Sequence, residues 1–163
     1  MESRAYLDSP IGILEVVVSL RGVRRIRKVA HRNADSDPMP DLLANCLEQL
    51  TEYFEGTRQT FQLPLDWSDE PEFHKMVWEE VVKVPYGHTT SYLAIAEKLN
   101  NPKAVRAVGQ ANANNPIAIV VPCHRVIAKS GDLQGYFYGL EVKRQLLELE
   151  NPMSFARQGD LFS

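Results

Sequence analysis

The sequence predicts a small α/β lobe followed by a mainly helical lobe. Two stretches rich in β-branched residues lie near the N-terminus, at 13–20 and 23–29, and apolar residues recur at helical spacing from residue 43 onward. The segment 67–71 is polar and ends in proline, which is typical of a linker. We therefore predict two lobes, 1–70 and 71–163.

Turns and one helix complete the predicted first lobe. Arg21-Gly22 favours a hairpin, and the proline-containing segment 33–40 favours a loop. A helix ending near Gly56 is predicted because apolar residues follow at i, i+3, i+4, i+7, i+10 and i+11: Leu43, Cys46, Leu47, Leu50, Tyr53 and Phe54. Cys46 lies on the buried stripe, so we expect an inert core thiol.

The composition is that of an ordinary globular protein of 163 residues, with 44% hydrophobic and 24% charged residues. No apolar run approaches the roughly 18 residues that a membrane span needs, so we expect a soluble, cytoplasmic monomer with no membrane partner. Only Cys46 and Cys123 are present, with no zinc-ligand spacing, which favours reduced thiols, no metal and no cofactor.

The net charge of -3 hides a local excess of basic residues. Residues 83–130 contain six Lys or Arg residues and only one acidic residue, Glu97. Because this segment surrounds Cys123 in sequence, it predicts a local basic surface suited to a polyanion.

The second lobe begins with a helix-turn-helix pattern. A helix from about Phe73 is predicted to end before Pro85, and Thr89, Thr90 and Ser91 offer an N-cap to a helix over 92–99. Asn100-Asn101-Pro102 is a short turn, and Pro102 suits the first turn of a further helix over 103–113.

That last helix has a face suited to a phosphate-lined groove. Lys103, Arg106 and Gln110 form a polar outward face, flanked by Ala107 and other small residues that allow close approach to a surface. On these features alone, a solvated helix with alanines chosen for helix propensity remains an alternative.

Cys123 is the candidate nucleophile. It follows a predicted buried strand over 117–121 and Pro122, and His124 is next to it, which would fix a thiol and a base at the mouth of a pocket. The glycine-bracketed segment 134–139, with Tyr136 and Phe137, is predicted to form a hairpin or wing that walls a planar ligand.

A final helix is predicted from about Leu140. Glu150 falls on its apolar side beside Leu146, where an unpaired carboxylate would be costly, whereas Glu148 projects to the opposite side. His124 is the obvious partner for Glu150, and the alternative is a helix that has simply reached its frayed end.

With these motifs identified, the sequence closely resembles the O6-alkylguanine-DNA alkyltransferases. The resemblance spans about residues 72 to 150 and weakens in the N-terminal lobe. It is carried, in order and spacing, by Val84-Pro85-Tyr86-Gly87, Thr90-Ser91-Tyr92, the run Asn101 to Gly109, Asn114-Asn115-Pro116, Val121-Pro122-Cys123-His124-Arg125-Val126, and the run Gly139 to Glu150.

The resemblance implies both a fold and a chemistry. The N-terminal lobe would be ribonuclease H-like, and the C-terminal lobe would contain a winged helix-turn-helix. Cys123 would accept the alkyl group, His124 would take its proton through a water molecule, and Glu150 would orient His124, in a triad-like relay. Each molecule would react once, because the thioether has no release route.

The resemblance also implies how DNA is bound. The helix over 103–113 would enter the minor groove of duplex DNA that contains O6-alkylguanine, with O4-alkylthymine as a further candidate substrate. Arg106 would fill the gap left by the flipped nucleotide. Tyr92 would help to rotate the nucleotide and would donate a hydrogen bond to guanine, and Asn115 would brace the turn after the helix.

In the substrate pocket, the carbonyls of Cys123 and Val126 would bind the guanine amino group. The amide of Phe137 would bind the guanine oxygen. Some relatives carry zinc in the N-terminal lobe, but Cys46 is the only cysteine there, so we predict no metal.

Three other classes of protein are alternatives. A damage-binding protein of the alkyltransferase-like kind would lack the nucleophile, which this chain keeps at Cys123. A winged-helix regulator would leave Cys123, His124 and Glu150 without a role. A cysteine hydrolase would need the adjacent Cys123 and His124 to face one another, and no hydrolase signature surrounds them.

Overall fold

The structure is a computed structural model that describes residues 1–128, 136 and 138–152. It contains two compact units, one formed by Met1–Ser68 with Pro116–Ala118 and the other by Asp69–Asn115 with Ile119–Ser163. The predicted fold class, an α/β lobe followed by a helical lobe, is confirmed. Residues 134, 135 and 137 of the wing predicted over 134–139 lie outside the described residues.

The first unit is built on a three-stranded antiparallel sheet in the order β1-β2-β3. The strands are β1 (Ser3–Ser9), β2 (Gly12–Val18) and β3 (Val23–Val29). The predicted turn at Arg21-Gly22 is present, closed by a 2.8 Å hydrogen bond from the Ser19 amide to the Gly22 carbonyl.

Helix α1 (Asp41–Phe54) supplies the buried apolar side of this unit. Its buried residues include Leu43, Cys46, Leu50 and Tyr53, as the helical spacing predicts. The prediction for Cys46 is confirmed: the side chain is fully buried, and burial raises the pKa of its thiol to about 12.

The described part of the second unit contains four named α-helices and a two-stranded parallel ladder. The helices are α2 (Glu72–Val81), α3 (Tyr92–Lys98), α4 (Val105–Ala113) and α5 (Leu140–Glu150). The ladder pairs β4 (Thr90–Ser91) with β5 (Val126–Ile127). The indole nitrogen of buried Trp78 donates to the Ala111 carbonyl at 2.8 Å, which ties α2 to α4.

The helix-turn-helix forms for the reasons that the sequence indicates. The Ser91 hydroxyl caps α3 by accepting a 3.0 Å hydrogen bond from the Ala94 amide. Pro102 begins a 3-10 turn, Pro102–Ala104, so α4 starts at Val105 rather than at Lys103. The connection between α3 and α4 is therefore longer than predicted. Lys103 lies in this connection and is exposed.

The strand predicted over 117–121 is wrong. Ile117 makes an isolated parallel bridge to Ile26, and Ile119 then turns the chain with φ at 74°, a left-handed conformation that β-branched residues rarely adopt. The apolar run reflects burial, since Ile117, Ile119 and Val121 are almost inaccessible. A short buried run does not by itself specify a strand.

Candidate active site

The Cys123 thiol lies on a short 3-10 turn, Cys123–Arg125, that leads directly into β5. The Cys123 amide donates to the Val121 carbonyl at 2.8 Å, and the Arg125 amide donates to the Pro122 carbonyl at 2.9 Å. This tight turn places three consecutive functional side chains, of Cys123, His124 and Arg125, in a buried region of the second unit.

Asn115 contacts the thiol directly. Its side-chain amide donates to the Cys123 Sγ at 3.1 Å and to the Val121 carbonyl at 2.9 Å. Burial raises the pKa of the Cys123 thiol above its ordinary value, while the Asn115 hydrogen bond and the Lys143 charge act in the opposite direction. The resting group is therefore a protonated thiol that needs a base.

The imidazole and the carboxylate that the sequence suggested as partners are in contact. His124 is fully buried, and its Nε2 lies 2.6 Å from Oε2 of Glu150 at the end of α5. Its other ring nitrogen, Nδ1, is buried without a hydrogen-bond partner among the described residues. A neutral ring with its proton on Nε2 satisfies the carboxylate and leaves the Nδ1 lone pair to accept a proton.

Glu150 is held ionised in spite of its burial. Burial alone would raise its pKa, but the hydrogen bonds from His124 and Arg125 and the charge of Arg125 outweigh burial and lower the pKa to about 2. Burial lowers the pKa of His124, so the imidazole is neutral, and the contact to Glu150 opposes that effect. The pair at rest is a carboxylate and a neutral base.

Lys143 is a site residue that the sequence analysis missed. It is fully buried on α5, and its Nζ donates to the Val126 carbonyl at 2.6 Å. Burial lowers the pKa of Lys143 to about 8, and the nearby Cys123 raises it. Its position could have been found, because Leu146, Leu147 and Glu150 follow it at i+3, i+4 and i+7 on one helix face.

Tyr92 begins α3, directly after the β4 strand that pairs with the segment following Cys123. Burial raises the pKa of its hydroxyl, and a hydrogen bond with Asn112 lowers it. Asn112 also donates to the Cys123 carbonyl at 3.2 Å, and its Oδ1 is buried without a partner in the described part of the chain. Asn112, a second residue missed earlier, follows Val108 at i+4 on the buried stripe of α4.

The aromatic segment 134–139 is described only at residues 136, 138 and 139. The Tyr136 hydroxyl is buried and has no hydrogen bond of ordinary geometry to any described residue. Burial first, and then the proximity of Cys123, raises the pKa of Tyr136. Val126 is buried beside the turn, whereas Phe137, whose amide was expected to bind the substrate oxygen, lies outside the described residues.

The face of α4 that was predicted to approach a polyanion is exposed. Lys103, Arg106, Ala107 and Gln110 all lie at the surface, and Val108 is buried on the opposite side. Arg125 departs from the prediction of a basic surface around Cys123: only 6% of it is exposed, because it pairs with Glu150.

The described residues contain neither a metal-binding cluster nor a membrane-spanning helix. Residues 1–128, 136 and 138–152 contain no group of three or more His, Cys, Asp or Glu side chains arranged to hold a metal ion. No helix in that part of the chain has the length and apolar character needed to cross a membrane.

Two family models match the chain on either side of the predicted linker. Residues 3–67 match the ribonuclease-like domain of 6-O-methylguanine DNA methyltransferase, and residues 72–152 match its DNA binding domain. The chain belongs to the 6-O-methylguanine DNA methyltransferase family.

Individual relatives match over nearly the whole chain. A methylated-DNA–protein-cysteine methyltransferase of Mycolicibacterium paratuberculosis is 45% identical over 150 residues, covering 88% of this chain and 89% of the relative. The crystal structure of Mycobacterium tuberculosis O6-methylguanine methyltransferase has a TM-score of 0.82 at 40% identity, covering 93% and 94% of the two chains. The Mycobacterium tuberculosis protein in complex with DNA has a TM-score of 0.80 at 39% identity, covering 97% and 98%.

Proposed function

We propose that the protein repairs alkylated DNA directly, by moving an alkyl group from O6 of guanine in duplex DNA to its own Cys123, once per molecule. The observation that carries the proposal is the arrangement of a buried thiol, a buried neutral imidazole and an ionised carboxylate on Cys123, His124 and Glu150. The names of the relatives and the DNA complex of one of them support the same activity.

The transfer is an in-line displacement at the alkyl carbon. A water molecule would carry the thiol proton from Cys123 to the Nδ1 of His124, which has no partner among the described residues, while Glu150 stabilises the imidazolium that forms. The new bond joins Sγ to the alkyl carbon, and the bond between that carbon and O6 breaks with its electron pair on guanine. The proton finally reaches the departing guanine, so the base is restored without another reactant.

Leaving-group stabilisation would come from donors near the thiol. Negative charge develops on the guanine as it departs, and the Tyr92 hydroxyl is proposed to donate to it. The amide of Phe137 would bind O6, and the carbonyls of Cys123 and Val126 would bind the exocyclic amino group. Asn112 and Lys143 already contact those two carbonyls, which holds them in place for the substrate.

The thiol is 5% exposed, so a base stacked within a duplex could not reach it. We propose that α4 enters the minor groove and that the target nucleotide rotates out, at a cost of a few kcal/mol. Arg106, exposed on α4, would occupy the space that the nucleotide leaves. The small exposed Ala107 beside it permits close approach of the helix backbone to the groove.

Stoichiometry tests the proposal against a protein that only binds damage. The protein is mixed with an excess of duplex containing one O6-methylguanine, and the restored guanine is measured after digestion to nucleosides. We expect one guanine per protein molecule and then no further repair. Continued turnover would contradict the single-use chemistry, and tight binding with no restored guanine would leave a damage-binding protein.

A further inference from the structure

Arg125 shares one carboxylate with His124. Its Nε donates to Oε1 of Glu150 at 2.8 Å, and its Nη2 donates to Oε2 at 3.0 Å, the two-point geometry that is strongest for a guanidinium and a carboxylate. Oε2 is also the oxygen that lies 2.6 Å from Nε2 of His124. Both residues that follow Cys123 therefore bind Glu150.

The other side of the guanidinium is held by the motif Val84-Pro85-Tyr86-Gly87, which the proposed chemistry leaves without a role. Nη1 of Arg125 donates to the Val84 carbonyl at 2.7 Å, and the guanidinium carbon lies 5.8 Å from the centre of the Tyr86 ring. The same motif is tied to the end of α5, because the Asn151 side chain donates to the Gly87 carbonyl at 2.8 Å.

This arrangement decides which group carries the positive charge beside Glu150. A buried carboxylate needs a cationic partner, and if His124 were the only candidate it would tend to be protonated at rest and useless as a base. Arg125 supplies a permanent charge instead. The groups that bear on His124 are Glu150 and Lys143 from α5 and Arg125 from its own turn. The contact to Glu150 raises the pKa of His124, whereas the two cations lower it.

We propose that Arg125 is a positioning residue of the alkyl transfer, which fixes the Glu150 carboxylate and leaves His124 as a neutral base, and that the Val84–Gly87 motif holds Arg125 for this purpose. The proposal deepens the proposed function and rests on it. Arg125 does not touch the substrate in this scheme, and its effect is transmitted through Glu150 to His124.

The test compares Arg125→Met, which removes the charge, with Arg125→Lys, which keeps the charge but not the fork. The matched control is Arg144→Met. Arg144 pairs with Glu141 and Glu148 on the surface of α5, the helix that also carries Glu150. Two quantities are measured: the rate of reaction with free O6-benzylguanine between about pH 5 and pH 9, and the pKa of His124 by NMR titration of the histidine rings.

For Arg125→Met we expect the acid limb of the rate profile and the pKa of His124 to rise together by about one unit or more. On the acid limb, at pH values below the pKa of His124 in both proteins, the rate of Arg125→Met should then be about tenfold lower, and it should recover at higher pH because deprotonation restores the base. Arg125→Lys should shift both quantities less, and Arg144→Met should match the wild type. A variant that merely loosened the fold would lose rate at every pH.

A folded Arg125→Met protein with the wild-type pH profile and His124 pKa would overturn the proposal. If that variant does not fold, the wild type still decides, because a His124 ring that is protonated at pH 7 contradicts the assigned role and a neutral ring supports it. A wild-type protein that does not react with O6-benzylguanine would count against the proposed function, whereas the NMR titration reads the role of Arg125 independently.

Discussion

At the scale of single residues, the proposed nucleophile rests as an unreactive thiol. Burial keeps Cys123 protonated, and the neutral His124 ring beside an ionised Glu150 is ready to take that proton. Cys46 shows the contrast: it is equally buried, but burial is the only influence on its raised pKa. The difference between the two thiols lies in the polar groups around Cys123, above all Asn115 and Lys143.

Asn115 should matter through its hydrogen bond to sulfur. Removing a donor to a developing thiolate costs about 1.5 to 3 kcal/mol, so Asn115→Ala should raise the thiol pKa by one unit or more and slow alkyl transfer about tenfold. The thiol pKa is measured from the pH dependence of iodoacetamide labelling at Cys123. Asn114→Ala is the control, since Asn114 is exposed and its side chain donates to the Gln110 carbonyl. Equal thiol pKa values in the two variants would show that Asn115 does not stabilise the thiolate.

Glu150 predicts how stability depends on pH. Its pKa is lowered from 4.5 to about 2 on folding, so its contribution to the free energy of unfolding is complete above about pH 4.5 and is lost as the pH falls toward 2. Urea unfolding at a series of pH values should therefore show that the free energy of unfolding of the wild type falls at acid pH. Glu150→Gln should lack this part of the decrease. Glu148→Gln, which changes a surface carboxylate of the same helix, should keep the wild-type slope. The same slope in Glu150→Gln would refute the prediction.

At the scale of elements, three of the residues in the proposed chemistry lie where a short element begins or ends. Tyr92 starts α3 behind the Ser91 cap, and Cys123 starts the 3-10 turn. Glu150 is the last residue of α5. The exposed face of α4 is the surface that we propose meets DNA.

Arg106 tests the role assigned to α4. Arg106→Ala should slow the repair of a duplex containing O6-methylguanine by tenfold or more, roughly the effect of 1 to 3 kcal/mol, and should leave the reaction with free O6-benzylguanine nearly unchanged. Both rates are measured under single-turnover conditions. Arg21→Ala is the control, because Arg21 is an exposed arginine of the hairpin turn between β2 and β3. Equal losses on the two substrates would assign Arg106 to chemistry or folding.

At the scale of the whole molecule, patterns set by local chemistry could be predicted from the sequence. Helical spacing identified the buried face of α1, including Cys46. Cap chemistry predicted that α3 starts after Thr89, Thr90 or Ser91, and Ser91 is the residue that caps it. The position of Glu150 on the apolar side of α5 was enough to suggest His124 as its partner, and the two are in contact.

What could not be predicted depends on contacts between distant segments. Apolar burial of residues 117–121 looks the same in a strand and in a left-handed turn at Ile119. Arg125 was counted as surface charge because nothing local indicates that it meets Glu150, 25 residues away. Lys143 could have been placed by helical spacing, but a lysine on a buried face is rare enough to be overlooked.

The most direct measurement is the intact mass of the protein after mixing with a duplex that contains one O6-methylguanine. The matched pair is Cys123→Ala, which removes the proposed acceptor, and Cys46→Ala, which removes the buried core thiol. We expect the wild type and Cys46→Ala to gain one methyl group, located on Cys123 by digestion, and Cys123→Ala to gain none. A methyl group on Cys123→Ala, or no mass change in a wild type that binds the damaged duplex, would contradict self-alkylation at Cys123.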